Sequence, residues 1–343
     1  MKEHIAVGWH KLFLDPEGNI WGCGDNSRAQ LGIEPYVYDI PTPVQLSVPA
    51  HIVSIYANSY QSYFIDTEGS VWVCGSNACG MLGFPPKRST IYSPTKVENL
   101  PAIRKIHTAV SCTIFQDYES VLWVCGKSNI FSCDTYMPTP HKLDLVVKRA
   151  SIVENSANWL LDEEGILTKL IKAQNSSISL HRQTDKRYVA MTSTHSHIHL
   201  LDEEGNVWGY GDSQYQQYGL PVTNRGYSLF RIHNIPAMQD IKTGEDLSVF
   251  LDVDGCVWTL GSNAEGRLGR ATNKVFNNNV PKMVEGLPKI CKIYCGNTIV
   301  AVDEAGEIWV PVKSSTTPGF NRPLNYPTIA LERKMATKSA RNV

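Results

Sequence analysis

The stretch Asp15-Pro-Glu-Gly-Asn-Ile-Trp21-Gly-Cys-Gly24 decides the fold, because the chain repeats its pattern seven times. In each copy a four-residue turn begins with aspartate and ends with glycine, or once with Ser120, and a tryptophan position follows three residues later. The tryptophan positions are Trp21, Trp72, Trp123, Thr168, Trp208, Trp258 and Trp309, in steps of 51, 51, 45, 40, 50 and 51 residues. Six of the eight tryptophans occupy this one position, so we interpret these six as structural residues in the cores of the repeats.

Each repeat is predicted to contain four short strands. The aspartate can bond the backbone ahead of it and the glycine supplies a left-handed φ, which is typical of a hairpin turn. β-rich stretches flank the turn, and a second strand such as 51–56 and a proline-led strand such as Pro43-Val-Gln-Leu46 lie further upstream. Four-stranded units of this length, with no helical period, predict an all-β fold, a seven-bladed β-propeller of four-stranded blades.

The two ends of the chain are predicted to complete one blade together. The chain begins at a second strand, His4-Ile-Ala-Val7, and the repeats end with a proline-led strand, Pro327-Thr-Ile-Ala-Leu331. We expect the C-terminal strand to pair with the N-terminal strands, which would close the ring and protect its edges. Residues 1–331 are therefore predicted to be a single propeller domain, followed by a basic, flexible tail at 332–343.

Composition narrows the function classes. The net charge is −1 over 343 residues, which argues against nucleic acid as the main partner. No apolar run reaches about 18 residues, so we expect no membrane insertion, and the N-terminus leads directly into the repeats, which leaves no room for a signal peptide. Nine cysteines without framework spacing suit a reducing compartment. The expectation is an intracellular monomer in the cytoplasm or nucleus, or in a host cell if the protein is a pathogen's effector.

A second motif follows the tryptophan and carries a family resemblance. It reads Gly24-Asp-Asn-Ser-Arg-Ala-Gln-Leu-Gly32, Gly75-Ser-Asn-Ala-Cys-Gly-Met-Leu-Gly83 and Gly261-Ser-Asn-Ala-Glu-Gly-Arg-Leu-Gly269. With the aspartate turns and the proline-led strands, it resembles the regulator of chromosome condensation (RCC) repeat family over residues 4–331, as in a bacterial or viral relative. Members of that family include Ran guanine nucleotide exchange factors, ubiquitin-ligase subdomains, a plant photoreceptor and bacterial effectors. The resemblance implies the fold more strongly than the function.

Candidate partner-binding residues come from the resemblance and from unequal loops. In the family's Ran exchange factor, histidines eight residues before the turn glycine line the end of the ring that faces the GTPase. Those positions here are His10, Gln61, Cys112, Ala157, His197, Leu247 and Thr298. We select His10, His197, Gln61 and Thr298 as contacts; the alternative is that such residues are half-buried and hydrogen-bonded within the protein. Loop aromatics Tyr92 and Phe276, which lie beside positive charge, complete the set.

No residue pattern indicates covalent catalysis. No phosphate loop, nucleophile elbow or metalloprotease motif is present, and we expect no cofactor. His195, His197 and His199 alternate along a strand in a spacing that suits zinc or copper, but we expect no metal, because His197 occupies one of the positions that the family resemblance explains. Cys23, Cys74 and Cys125 fall two residues after the tryptophan and are interpreted as packing residues.

Three functions remain open at this point. The first is regulation of a small GTPase such as Ran, by nucleotide exchange or by binding one nucleotide state. The second is a protein-interaction scaffold, or a secreted effector, without exchange activity. The third is binding to chromatin or nucleic acid, to which a basic tail would contribute a salt-sensitive attraction.

Overall fold

The described part of the chain is almost entirely β-structure in this computed structural model. It comprises residues 4–33, 37–85, 87–108, 111–127, 136–146, 151–153, 159–162, 164–172, 178–193, 197–211, 226–270, 278–312, 319–323 and 326–327. Two single-turn 3-10 helices, Ala78–Gly80 and Ala264–Gly266, interrupt the strands. None of the helices in these segments is long and apolar enough to span a membrane.

The strands form six antiparallel sheets, and in every sheet the order in space follows the order along the chain. Sheet 1 contains β1 (Ile5–Val7), β2 (His10–Leu14), β3 (Ile20–Asp25) and β4 (Asp39–Leu46). Sheet 2 contains β5 (Ile52–Asn58), β6 (Gln61–Asp66), β7 (Val71–Ser76) and β8 (Thr90–Lys96). Sheet 3 contains β9 (Ile103–Thr108), β10 (Cys112–Asp117), β11 (Val121–Lys127) and β12 (Tyr136–Val146).

The fourth sheet has seven strands because two four-stranded units share one long strand. It contains β13 (Ser151–Val153), β14 (Trp159–Leu161), β15 (Ile166–Lys172), β16 (Ile178–Ser193), β17 (His197–Asp202), β18 (Val207–Gly211) and β19 (Gly226–Arg231). The first part of β16 pairs with β15 and its last part pairs with β17. Sheet 5 contains β20 (Met238–Thr243), β21 (Leu247–Asp252), β22 (Val257–Gly261) and β23 (Asn278–Met283), and sheet 6 contains β24 (Ile290–Cys295), β25 (Ile299–Asp303), β26 (Ile308–Pro311) and β27 (Phe320–Asn321).

The first strand of each four-stranded unit lies against the first strand of the next. Strands β1, β5, β9, β13, β16, β20 and β24 contact one another in this order, and β24 also contacts β1. Sheet 6 therefore packs on sheet 1, where Ile5 and Phe13 share a buried cluster with Val300 and Val302. The Tyr326 ring lies edge-on to Phe13, with the ring centroids 5.1 Å apart.

The grouping of strands differs from the predicted one. The proline-led strand pairs with the tryptophan strand that precedes it, as Ile20 opposite Leu46 shows, and not with the strand that follows it. Sheet 1 consequently takes all four strands from residues 5–46, and β27 is the fourth strand of sheet 6. The predicted pairing of the C-terminal strand with the N-terminal strands is not among the pairings of the described residues, while Thr328–Leu331 and residues 332–343 lie outside them.

The repeated turn has the predicted conformation and a further role. Its last residue has a positive φ in every copy, from +68° at Ser120 to +88° at Gly255. The Oδ1 atom of the aspartate accepts backbone N–H groups of the turn, as Asp66 does from Ser70 at 2.8 Å. Its Oδ2 atom accepts the indole N–H six residues later, at 2.8–3.0 Å, in all six copies that have a tryptophan. The tryptophans are thus half-buried, and the fully buried core beside them is aliphatic and phenylalanine-rich.

Candidate functional site

The best candidate site lies where the turns between the first and second strands of the sheets meet. The described turns of this kind are at 8–9, 59–60, 244–246 and 296–298, from sheets 1, 2, 5 and 6. The equivalent turns at 109–110, 154–158 and 194–196 lie outside the described residues. We call this side of the sheets the cavity end; the aspartate turns lie at the opposite end of the same strands.

Glycines let these turns approach one another closely. A Cβ atom on Gly244 would lie 2.0 Å from the carbonyl oxygen of Gly296, and one on Gly296 would lie 2.2 Å from that of Val7. A Cβ atom on Gly8 would lie 2.1 Å from the carbonyl oxygen of Asn58. Backbone hydrogen bonds accompany two of these approaches, Asn297 N–H to Gly8 at 3.0 Å and Trp9 N–H to Ser59 at 3.4 Å. The turns therefore form a continuous arc from sheet 5 through sheets 6 and 1 to sheet 2.

The arc surrounds a cavity of about 530 Å³ that residues of all the sheets, including the seven-stranded one, help to line. Its wall is mostly polar or small, and it includes Gln61, Ser76, Thr108, Ser193, Thr243 and Asn297. Among the described residues that line it, Glu245 is the single charged side chain. Because it lies between the first strands of several sheets, we call it the axial cavity; it is not a groove on one sheet.

An aromatic pair and a carboxylate stand at the mouth of this cavity. The Trp9 and Tyr60 rings stack with centroids 5.7 Å apart and planes 26° apart, while Trp9 keeps 40% of its surface exposed. One oxygen of Glu245, Oε1, accepts the Ser59 hydroxyl at 2.9 Å and the Trp9 indole N–H at 3.4 Å. Three turns from three sheets thus orient one exposed acidic and aromatic cluster.

Arg267, which lies beside the turns of this cluster, is fully engaged. Arg267 forms an ion pair with Asp246 at 2.8 Å and donates to the Asn297 side chain at 3.0 Å. Arg267 also lines a second cavity, of about 580 Å³, between sheets 1 and 6, together with Lys11, Asp25, Asp39 and Glu265. The second cavity has charges of both signs, so its electrostatics select no single class of ligand.

The predicted contact residues His10 and His197 are fully buried, and neither offers surface to a partner. The Nε2 atom of His10 lies 2.7 Å from the Ser62 hydroxyl, and burial lowers the pKa of His10 to about 3, with a smaller contribution from Lys11. Their burial argues against the predicted role and favours the alternative weighed for them, a packed polar residue. The neutral imidazole is the form that this environment stabilises.

The other predicted residues lie in different places. Gln61 is buried and donates to the Ser76 carbonyl at 3.2 Å beside the axial cavity, and Thr298 lines the second cavity. Tyr92 is 59% exposed on β8, the outermost strand of sheet 2, away from the cavity. Phe276 lies outside the described residues. Gln61 and Thr298 thus lie at the cavity end while Tyr92 does not, and a contact of these residues with a partner stays a prediction.

The residues weighed for metal binding and packing are buried where they are described. His195 lies outside the described residues, while the rings of His197 and His199 contact each other with centroids 5.2 Å apart. Burial lowers the pKa of His199 to about 3. Cys74 is fully buried, and burial raises the pKa of its thiol to about 12, which suppresses the reactive thiolate. These groups behave as parts of the core.

Sequence reasoning missed Trp9, Tyr60 and Glu245, although one signal for them was present. Trp9 and Trp159 are the two tryptophans that do not occupy the repeated position. The repeat accounts for the other six tryptophans, so a tryptophan outside the repeated position indicates a different role. Glu245 has no such signal, because its role depends on how closely sheet 5 approaches sheets 1 and 2.

Comparisons with known proteins agree with this architecture. Residues 254–302 match the family model described as the regulator of chromosome condensation (RCC1) repeat. The chain is 23% identical to the human regulator of chromosome condensation, covering 88% of this chain and 81% of that protein. It is 24% identical to human E3 ubiquitin-protein ligase HERC2 over 85% of this chain, but it spans only 7% of that protein.

A solved structure shows the same fold. Prp20p from Saccharomyces cerevisiae, whose structure was reported with its binding properties to Gsp1p and histones, superposes with a TM-score of 0.72. The match covers 91% of this chain and 82% of Prp20p at 18% sequence identity, a level at which the likeness concerns the fold. The fold is therefore a β-propeller of RCC1 type.

Proposed function

We propose that this chain, a member of the regulator of chromosome condensation repeat family, is a protein-binding propeller that regulates a small GTPase through its cavity end. The observation that carries the proposal is the cluster of the exposed residues Trp9 and Glu245 with the half-buried Tyr60, to which three sheets contribute. Exposed aromatic residues on a rigid scaffold are typical of binding hot spots. The likeness to Prp20p, whose structure was reported with its binding properties to Gsp1p and histones, supports a protein partner, and the resemblance to the family's Ran exchange factor makes a GTPase the first choice.

We also propose the finer architecture, seven blades closed into one ring over residues 1–331 with a basic tail at 332–343. The shared strand β16 supports a count of seven, since it divides the seven-stranded sheet into two four-stranded units. The contact of β24 with β1 and the bond from Asn297 to Gly8 support closure. Closure then comes from packing and turn contacts between complete sheets rather than from a sheet built by both chain ends.

The mechanism follows from differential binding. A propeller that binds the nucleotide-free GTPase more tightly than the loaded one lowers the affinity for nucleotide by the same factor. Each difference of about 1.4 kcal/mol in the two binding free energies weakens nucleotide binding about tenfold. The propeller needs no covalent step, because the GTPase supplies the nucleotide site.

A scaffold without exchange activity is the second candidate, and one observation favours it. The two histidines that the family resemblance placed against the GTPase, His10 and His197, are buried here. A scaffold needs only a surface that binds another protein, and the cluster at the cavity mouth provides one. We propose that such a scaffold acts as a monomer in a reducing compartment. Binding to nucleic acid is a weaker candidate, because the net charge is −1 and the charged residue described at the cavity mouth is acidic.

The test mixes the full chain with purified GTPases that carry a fluorescent guanine nucleotide. We expect accelerated nucleotide release from one of them, reduced at least tenfold by Trp9→Ala. Tyr118→Ala is the matched control, because Tyr118 is an exposed aromatic residue at the opposite end of the sheets. No accelerated release and no complex on gel filtration would eliminate the GTPase function, and a partner recovered from cell extract whose binding depends on Trp9 would then establish the scaffold.

A further inference from the structure

We propose that the mouth of the axial cavity is a receptor for an arginine side chain of the partner protein. The inference rests on the proposed function only in placing a protein partner at the cavity end. The receptor consists of the Trp9–Tyr60 stack, the Glu245 carboxylate and the cavity beneath them. This receptor would recognise a guanidinium group, whichever partner protein carries it.

The carboxylate is oriented but carries no cation of its own. The hydrogen bonds that Glu245 accepts from Trp9 and Ser59 both go to Oε1, and no other described residue bonds Oε2. Among the described residues, no lysine or arginine forms an ion pair with Glu245. A fixed carboxylate with an open oxygen favours a charge-assisted hydrogen bond from a cationic donor.

The aromatic pair adds a second contact for the same guest. Trp9 packs one face on Tyr60 and remains 40% exposed, and its N–H edge is already bound to Glu245. A guanidinium can stack on tryptophan while its edge donates to a carboxylate, and the ring quadrupole attracts the positive charge. The geometry favours arginine over lysine, because only the planar group makes both contacts at once.

Among the described residues, the lysines and arginines closest to the cluster are paired or lie outside this cavity, since Lys11 lines the second cavity instead. Arg267 is neutralised by Asp246, and Lys242 forms an ion pair with Asp240. The cavity of about 530 Å³ offers side-chain amides and hydroxyls, from Gln61, Ser76 and Asn297 among others. An anionic ligand such as a nucleic-acid phosphate would meet Glu245, the one charged residue among the described residues of the lining, and the two negative charges would repel each other.

The test uses the full-length protein and short capped peptides, Gly-Gly-Arg-Gly-Gly and the same peptide with neutral citrulline in place of arginine. Binding is followed by the indole N–H resonance of Trp9, which is identified by its loss in Trp9→Phe. We expect the arginine peptide to shift this resonance in a saturable way, with citrulline binding at least tenfold more weakly. Glu245→Gln should weaken the arginine peptide at least tenfold, and Glu17→Gln, an exposed carboxylate at the opposite end of sheet 1, should not.

Three results would each overturn the proposal. The first is no binding of the arginine peptide, and the second is equal binding of the arginine and citrulline peptides. The third is that Glu245→Gln and Glu17→Gln bind the arginine peptide with equal affinity. The comparison of arginine with citrulline on the unaltered protein decides the matter even if Glu245→Gln fails to fold. A single-stranded oligonucleotide that shifts Trp9 in place of the peptide would point to nucleic acid and also overturn it. Because these assays contain no GTPase, a negative GTPase panel with positive peptide binding removes only the proposed function.

Discussion

At the scale of single residues, the repeated aspartate explains why turn and tryptophan recur together. One carboxylate oxygen accepts backbone N–H groups of the turn and the other accepts the indole N–H. The spacing from the aspartate to the end of the turn and its spacing to the tryptophan therefore both depend on the same aspartate. In Asp202, burial raises the pKa, but hydrogen bonds from Trp208, Lys186 and Asn206 outweigh burial and hold the pKa well below its usual value. The stabilisation from such a lowered pKa is present above about pH 4 and is lost as the pH falls further.

The buried histidines predict a second, separate dependence of stability on pH. The pKa values of His10 and His199 are lowered from 6.5 to about 3, so the unfolded chain binds more protons than the folded one between these values. Stability is therefore complete above about pH 6.5 and falls below it, by about 1.4 kcal/mol per pH unit for each buried histidine. We expect the free energy of unfolding by urea, measured from pH 7.5 to pH 5, to fall accordingly.

Substitution separates this effect from general acid sensitivity. His10→Gln keeps a polar side chain near Ser62 but does not titrate, so the slope between pH 6.5 and pH 5 should decrease by about 1.4 kcal/mol per unit. His233→Gln, at an exposed position, should leave the slope unchanged. An unchanged slope in His10→Gln would mean that His10 gains its proton without unfolding, and the argument from burial would be wrong.

At the scale of structural elements, the turns at the cavity end hold the first and last sheets together. Gly296→Ala would place a methyl group 2.2 Å from the Val7 carbonyl oxygen, so the two sheets must separate. We expect a loss of about 2–3 kcal/mol in the free energy of unfolding. Gly286→Ala is the control, because Gly286 has a φ of +80° with nothing within 4 Å of its Cβ position, and backbone strain alone should cost about 1 kcal/mol. Equal losses in the two variants would show that the turn at Gly296 adjusts freely.

The same turns mark the limit of prediction from the sequence. Strand content, the turn conformation at Gly18 and its equivalents, and the repeat family follow from local patterns, because each depends on residues close together in the chain. The grouping of strands was offset, since a proline-led strand such as β4 fits the sheet before it or after it equally well on pattern alone. The Glu245–Trp9 contact spans 236 positions and arises from the approach of separate sheets, which no local pattern encodes.

At the scale of the whole molecule, stability is distributed unequally around the axis. Repeat proteins are stabilised by each unit and by its interfaces with neighbouring units, so a weak unit persists between strong ones. The first half of the seven-stranded sheet is the weakest described unit, because β13 and β14 have three residues each and Thr168 stands where an indole would bond Asp162. Asp162 still accepts the Ile166 N–H at 2.8 Å, so the turn itself is formed. The unit lacks only the hydrogen bond from an indole to the aspartate, which connects the turn to the next strand in the other copies.

Hydrogen exchange should reveal this unevenness in the intact chain. We expect the amides of β14 and β15 to exchange at least tenfold faster than those of β6 and β7, where the Trp72–Asp66 bond is present and every β6 side chain is buried. Thr168→Trp offers the matched test: an indole that reaches Asp162 should slow exchange in β14 and β15 and leave β6 unchanged. In the closed ring proposed above, opening begins at the weakest unit, so the same substitution should raise the midpoint of urea unfolding, whereas an equivalent gain elsewhere would not. Uniform exchange around the axis would show instead that the sheets unfold together and that the missing indole is compensated by their interfaces.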